Sequence, residues 1–406
     1  HRQRHQKPQQ PQKTRRQQQQ QLQLQLQLQL QLQLRQAQPQ QAQPQPQQQQ
    51  AQQRQRQRQQ QLQLQLQQRQ RQRQLQQLQL QQAQQQQQQQ VICPQSSQSA
   101  WSQTATTIFG SQAGTSGSTL SLLNSPIGMY YDQTNNMLIV ADYGNQRILQ
   151  FSISNPPSVA TVIAGSNGGG CSLNQFTATI GVALDSSGRL FVSDSSCNRV
   201  VVFPSGSNSA TSGTSLGTVA VAEQISINAL TSDIYVAGYS DNTIYKFVGG
   251  SGSPVVAAGG NGAGNALNQL STPNGLYYDY LYTNALYVAD SGNNRVMKFP
   301  SGSTSATSGT VVAGGNGSGS GATQLNGPRT IVVDSSGTLY VSDGGNNRVT
   351  RWLPNAASGT TIVGGTSGTA SNQLHSPEVI LFDKYGNLLV IDRGNNRIQL
   401  FNLTTC

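Results

Sequence analysis

Histidine is almost missing from this chain of 406 residues: His1, His5 and His375 are the whole supply. Cysteine is limited to four residues, tryptophan to two, and charged residues together to 10%. A zinc centre needs three or four His, Cys or carboxylate ligands at set spacings, and a hydrolytic triad needs a histidine beside its nucleophile. With His375 alone beyond the first five residues and no Cys-x-x-Cys pair, both are disfavoured, and no nucleophile elbow is expected. No apolar run is long enough to span a bilayer. No signal peptide is visible, which carries little weight in a chain that opens on His1.

Residues 1–90 lack still more, having no acid, no aromatic residue and no cysteine. Gln-Leu repeats at 21–34, Arg-Gln repeats at 54–59 and 69–74 and poly-Gln at 84–90 fill this stretch. Such a composition buries too little apolar surface to offset chain entropy, so a disordered, aggregation-prone Gln-rich tail is expected. The tail also holds thirteen Lys or Arg, while residues 91–406 hold twelve against fourteen acids, or −2. The net +11 of the whole chain therefore belongs to the tail. A basic arm of this kind holds polyanions loosely or serves as a solvated linker. Residues 91–104 read as a linker carrying Cys93, and 105–406 as the folded domain.

What is abundant beyond residue 105 is one repeated phrase. Val140-Ala-Asp-Tyr-Gly-Asn-Gln-Arg147 returns as Val192-Ser-Asp-Ser-Ser-Cys-Asn-Arg199, Val236-Ala-Gly-Tyr-Ser-Asp-Asn-Thr243, Val288-Ala-Asp-Ser-Gly-Asn-Asn-Arg295, Val341-Ser-Asp-Gly-Gly-Asn-Asn-Arg348 and Ile391-Asp-Arg-Gly-Asn-Asn-Arg397. The Asp positions 142, 194, 290, 343 and 392, with Gly238 in the third slot, are 52, 44, 52, 53 and 49 residues apart. That period is too long for a two-helix repeat and fits a four-stranded propeller blade. Thr161–Gly165, Ile180–Asp185, Leu190–Asp194 and Arg199–Phe203 are strand-length runs rich in Val, Ile, Leu and Phe, split by Ser-Ser-Gly and Ser-Ser-Cys-Asn turns. The expected fold is an all-β, six-bladed propeller. Each Asp–Arg pair (Asp142 and Arg147, Asp194 and Arg199, Asp290 and Arg295, Asp343 and Arg348, Asp392 and Arg397) is expected to brace its own hairpin, because a pair present once per blade serves the blade. The third copy carries Gly238 and Thr243 instead, so one blade does without it.

Asp-x-Gly-Asn-Asn-Arg-Val-x-x-Phe, preceded by Leu-Tyr-Val-Ala, resembles the NHL repeat, as do the lead-ins Leu325-Asn-Gly-Pro328 and Leu374-His-Ser-Pro377. The resemblance runs from about Thr106 to Asn402. It implies relatives of three kinds: lyases and lactonases with a channel metal, ubiquitin ligases, and readers of single-stranded RNA. The amidating lyase's histidines have no counterparts here, the upstream residues hold too few cysteines for RING or B-box fingers, and the near-neutral propeller argues against sequence-specific nucleic-acid binding. No membrane span and no cofactor are expected.

The chain ends on the third strand of its sixth blade, while Thr106–Gly110 resembles Thr161–Gly165 and has no blade before it. The N-terminal strand is therefore expected to join the last blade and close the ring. Closure brings Cys93 near Cys406, and Cys171 and Cys197 fall in one blade, so the expected bridges are Cys93–Cys406 and Cys171–Cys197; four unpaired thiols are the alternative. Paired cysteines and the Asn-x-Ser/Thr acceptors at Asn316 and Asn402 point to an extracellular protein.

Five residues before the Asp that ends each inner strand stand Ile127, Ile180, Asn274, Arg329 and Glu378, with Glu223 in blade three. These departures from the repeat place Glu223, Asn274, Arg329 and Glu378 at one mouth of the channel. They make the candidate ligand site, against the plainer reading of a wet, salt-bridged lining. His375, in a slot read as Asn124, Asn268 and Asn326 elsewhere, is expected to be structural. A non-catalytic module recognising a protein or glycan partner through one rim is the expected function. The alternatives are a metal-dependent hydrolase or lyase using Glu223, Asn274 and Glu378, and polyanion binding by the tail.

Overall fold

The computed structural model of the protein describes residues 54–72, 74, 98–154 and 159–405, and the chain falls into two units, 1–74 and 75–406. In the first unit residues 54–72 form an α-helix, a departure from the expected disorder in that stretch. Gln, Arg and Leu are good helix formers, and no Gly, Pro or β-branched residue interrupts them. Leu62 and Leu64 stay exposed, so local propensity and not burial accounts for this helix. The rest of the expected tail lies outside the described residues.

The second unit is six antiparallel four-stranded sheets around an axis, a β-propeller. Blade one is β3 (Gly128–Asp132), β4 (Met137–Asp142), β5 (Arg147–Ser152) and β6 (Thr161–Gly165); blade two is β7 (Thr179–Leu184), β8 (Leu190–Asp194), β9 (Arg199–Phe203) and β10 (Thr214–Thr218). Blade three is β11 (Ala222–Asn228), β12 (Asp233–Gly238), β13 (Thr243–Phe247) and β14 (Val255–Gly259); blade four is β15 (Pro273–Asp279), β16 (Ala285–Asp290), β17 (Arg295–Pro300) and β18 (Thr310–Gly314). Blade five is β19 (Pro328–Val333), β20 (Leu339–Asp343), β21 (Arg348–Trp352) and β22 (Thr360–Gly364). Blade six joins β23 (Pro377–Phe382), β24 (Leu388–Asp392) and β25 (Arg397–Phe401) to β2 (Thr106–Gly110), which comes from the other end of the repeat region. Thr106 pairs with Leu400 and Gly110 with Arg397. The sequence repeat is thus offset from the blade by one strand.

One hydrophobic core sits at each blade boundary, because strands buried on both faces need a neighbour on each side. The seam between blades six and one is packed like the others. Ile398 and Leu389 meet Leu138 and Leu149 there, and Phe109 of β2 stacks on Phe151 at 4.3 Å. Around the axis each inner strand touches the next, β3, β7, β11, β15, β19, β23 and back to β3. Approach is close enough that a Cβ on Gly275 would stand 1.9 Å from the Arg329 carbonyl oxygen. A two-stranded ribbon of β1 (Ala100–Trp101) and β26 (Leu403–Thr405), which the repeat gives no sign of, lies beside blade six, with the Trp101 indole donating to the Gly386 carbonyl.

Candidate functional site

The repeated carboxylate is the hub of each hairpin. In blade six Asp392, fully buried, takes the His375 amide on Oδ1, and the Asn395 amide and Arg397 Nε on Oδ2 at 2.8 and 2.7 Å. Arg397 then spends its remaining donors on the carbonyls of Thr369, Ala370 and Gln373, in the loop leading into its own blade, and of Gln112, just after β2. Asp142–Arg147, Asp290–Arg295 and Asp343–Arg348 repeat this at 2.7 Å. Burial pushes the Asp142, Asp290 and Asp392 carboxyls upward, and the donors around them pull the other way. Blade two departs from the pattern: Asp194 meets Arg199 at 3.2 Å, and Cys197 occupies the place of the bridging Asn. Where Asn145 donates to Gly117 of its leading loop, Cys197 is bonded to Cys171, with Cα atoms 5.7 Å apart. A covalent bond here replaces a hydrogen bond. The Cys93–Cys406 pair lies outside the described residues.

The Asn that ends each hairpin turn, before Arg or, in blade three, before Thr243, adopts a left-handed backbone, with φ from 51° to 57° in blades two to six. Its side chain reaches the next blade. Asn198, Asn242, Asn294 and Asn347 accept the amides of Val221, Thr272, Gly327 and Ser376, and Asn396 accepts that of Ser125 in blade one. Blade one has Gln146 in this slot, and no such bond to blade two is found among the described residues. Sequence reading noted the Asn as turn chemistry and missed that its amide ties neighbouring blades.

The four candidate channel residues come together at the ends of the inner strands. In blades two to six the strand pairing slips just there, between Thr179 and Val182, Ala222 and Ile225, Pro273 and Leu276, Pro328 and Ile331, and Pro377 and Ile380. A bulge of this kind re-aims side chains. Asn274 donates to Glu223 at 3.2 Å, and Glu378 lies 3.9 Å from Arg329 Nε and 2.9 Å from Arg393 Nη1. Arg393 was missed; its signal was an Arg where the other copies carry Tyr143, Ser195, Tyr239, Ser291 and Gly344. Burial raises the Glu223 carboxyl to about 8, helped by the Glu378 charge and opposed by Arg329 and Arg393. This mouth therefore sets one acid, Glu378, between two guanidiniums and a second, Glu223, whose burial favours the protonated form. Ile127 and Ile180 are buried and complete the ring with apolar side chains.

Other expected positions read differently in place. His375 is exposed, its amide held by Asp392 and its ring against Gly394. Its slot in blade four belongs to Ser271, whose amide meets Asp290, and not to Asn268 as the lead-in spacing suggested. Gly213-Thr-Ser-Leu-Gly217 has the spacing of a nucleophile elbow, but Ser215 sits exposed in the outermost strand β10 with no helix after it. Asn316 is exposed, and its amide donates to Thr323 at 3.2 Å, while Asn402 is exposed beside the terminal ribbon. No three His, Cys, Asp or Glu side chains converge as metal ligands among the described residues, and no described helix is long and apolar enough to cross a membrane.

The opposite end of the axis holds a cavity of about 660 Å³. It reaches from Gln224 and Thr330 to the hairpins joining first and second strands, where Tyr130, Tyr131, Tyr280 and Tyr282 line it. The blade-four hairpin Tyr280-Leu281-Tyr282 is built on Asp279, whose carboxylate takes the Leu281, Tyr282 and Thr283 amides.

The NHL repeat family model matches residues 325–352. No curated protein matches the chain. Among solved structures, a protein of unknown function from Bacteroides thetaiotaomicron is similar over 76% of this chain and 77% of its own at 16% identity and a TM-score of 0.57. An auxiliary nutrient binding protein from the same organism gives 14% identity, 76% and 78% coverage and a TM-score of 0.57. A gluconolactonase from Xanthomonas campestris gives 13% identity, 77% and 99% coverage and a TM-score of 0.52. At these identities the likeness is one of fold. The chain is a six-bladed β-propeller in which residues 325–352, the end of the lead-in loop and the first three strands of blade five, match the NHL repeat.

Proposed function

We propose that the propeller is a non-catalytic, extracellular binding module. It recognises a protein or glycan partner through the rim where the axial cavity opens. The observation that carries this reading is the contrast between the two ends of the axis. At one end Glu378 is neutralised by Arg329 and Arg393, and Glu223 is held by Asn274. That arrangement serves as channel lining, and a divalent cation approaching it meets two guanidiniums. At the other end a roomy cavity opens among hairpin tyrosines, and ligand sites are concave and mostly apolar with a few polar groups. Loops displayed on rigid stacked blades suit recognition. The Cys171–Cys197 bridge supports an oxidising compartment, and closure of the ring by β2 supports a scaffold rigid enough for the task. Fold likeness does not choose between binding and catalysis, since similar scaffolds include a nutrient-binding protein and a gluconolactonase.

The competing reading is a metal-dependent hydrolase or lyase built on Glu223, Asn274 and Glu378. Melting of the full chain with Ca²⁺, Zn²⁺ or EDTA separates the two, because a bound ion stabilises only the state that holds it. The binding-module reading expects no shift and no turnover of lactone or ester substrates. A metal-dependent shift abolished by Glu378→Gln, with turnover lost alongside it, overturns that reading. Polyanion binding by the basic tail is a separate proposal, expected to fade with modest salt.

A further inference from the structure

The cavity is more informative than its volume. Each inner strand is the edge strand of its sheet, paired only with the second strand of its blade. The wall is therefore a barrel of strand edges, presenting backbone N–H and C=O groups inward. Some are already used across blade boundaries: the Tyr278 amide donates to Ser226 Oγ and the Ile380 amide to Thr330 Oγ1. Among the described residues, no lysine, arginine or histidine lines the cavity. Its two acids, Asp334 and Asp383, are spent on their own hairpins. Asp334 takes the Ser336 and Thr338 amides and the Tyr340 hydroxyl; Asp383 takes the Tyr385 and Asn387 amides and the Asn387 side chain. The lining thus offers neutral donors and acceptors in quantity and no positive charge to balance an anionic ligand.

Two further features narrow the class of ligand. At the inner end, Gln224 is 5% exposed and its Nε2 has no hydrogen-bond partner among the described residues, a donor that a ligand oxygen would satisfy. Toward the rim, Tyr130, Tyr131, Tyr280 and Tyr282 offer flat apolar faces carrying hydroxyls at their tips. Tyr280 belongs to blade four and Tyr130 to blade one, on opposite sides of a six-fold ring, yet each lies within electrostatic reach of the other. A ligand here lies between aromatic faces and meets hydrogen-bonding groups along its edges. A purely apolar molecule leaves the Gln224 amide and the strand edges unpaired. An anionic one is stripped of water with no counter-charge.

We propose that this cavity is a binding site for a neutral polyhydroxylated ligand, a mono- or disaccharide, with Gln224 pairing to a ring or hydroxyl oxygen and the rim tyrosines stacking on C–H faces. The proposal rests on the rim reading above and names its ligand class.

The test is calorimetry and thermal shift on the full chain with glucose, galactose, mannose, N-acetylglucosamine, sucrose and trehalose, alongside glucuronate. At least one neutral sugar should bind saturably, with the anionic glucuronate weaker by about tenfold or more. Gln224→Leu and Tyr280→Ala should each weaken that sugar by about tenfold, and Tyr280→Phe, which removes only a hydroxyl, by a smaller factor. The proposal is overturned if none of the neutral sugars binds, if glucuronate binds equally well, or if binding is indifferent to all three variants. A panel of immobilised glycans and extracellular-matrix proteins, probed with the wild type and with Tyr282→Ala, tests the rim separately. Rim-dependent signal without any cavity sugar sinks this inference and leaves the rim reading standing; no rim-dependent signal sinks the rim reading as well.

Discussion

Asn396→Gly is the perturbation that most sharply probes the seam of the ring. Asn396 sits in the left-handed region at φ 53°, accepts the Ser125 amide at 2.8 Å and donates to the Gly114 carbonyl at 2.9 Å. One side chain therefore ties blade six both to the start of blade one and to the segment that follows β2. Glycine keeps the backbone conformation at no steric cost, so the loss falls on the two hydrogen bonds. At about 0.5–1.5 kcal/mol each, the expected destabilisation is about 1–3 kcal/mol. Asn347→Gly is the matched control: the same residue type in the same turn, with φ 55°, but with one bond, to the Ser376 amide at 2.9 Å, found for its side chain among the described residues. Changes in unfolded-chain entropy cancel between the two variants. Denaturant titration or calorimetry should then show Asn396→Gly losing about twice as much as Asn347→Gly, a difference of roughly 2 °C in melting temperature for a propeller of this size. Equal losses, or a larger loss for Asn347→Gly, would refute the view that this asparagine holds the seam.

Removing the Cys171–Cys197 bridge by paired alanine substitution opens a loop with a sequence separation of 26, which chain-entropy arguments value at about 3.5 kcal/mol, and urea titration should show a loss of that order. For Glu223 the unfolded carboxyl ionises near 4.5 and the folded one near 8. Between those values the folded state keeps the extra proton, so stability declines as pH rises through the interval, and a melting series should show Glu223→Gln flattening the decline. A chain beginning near Val91 should melt cooperatively, and one beginning after Gly110, lacking β2, should be unstable or aggregate; equal melting of the two would remove β2 from the closure.

The blade count and strand order were legible because the period and the Asp-x-Gly-Asn-Asn-Arg phrase set one hairpin per blade, and the hairpin dictates its neighbours. Glu223, Asn274, Arg329 and Glu378 could be placed at one channel mouth because register along an antiparallel pair is countable from the Asp that ends it. Arg393 escaped because it lies in the variable slot of the phrase; it reaches Glu378 because their neighbours Asp392 and Pro377 are paired across β23 and β24. The pairing of Asn396 with Ser125 joins residues 271 apart, and no local pattern announces it. The cavity was invisible for a related reason: its walls are strand edges, and the sequence records side chains, not which backbone rows lack a partner. The helix at 54–72 shows the converse, a segment where composition argued for disorder and local propensity argued for helix.

The most direct measurement is where a bound ligand slows amide exchange. Hydrogen exchange of the full chain should be followed by mass spectrometry with and without the saccharide that gives the largest heat. Protection is expected in peptides covering Ile225–Ile227, Leu276–Tyr282 and Ile331–Ser335, whose backbones line the cavity, with no change around Glu378 and Arg393. Protection confined to the Glu378 end, or a saccharide that binds without protecting any inner strand, would contradict the account.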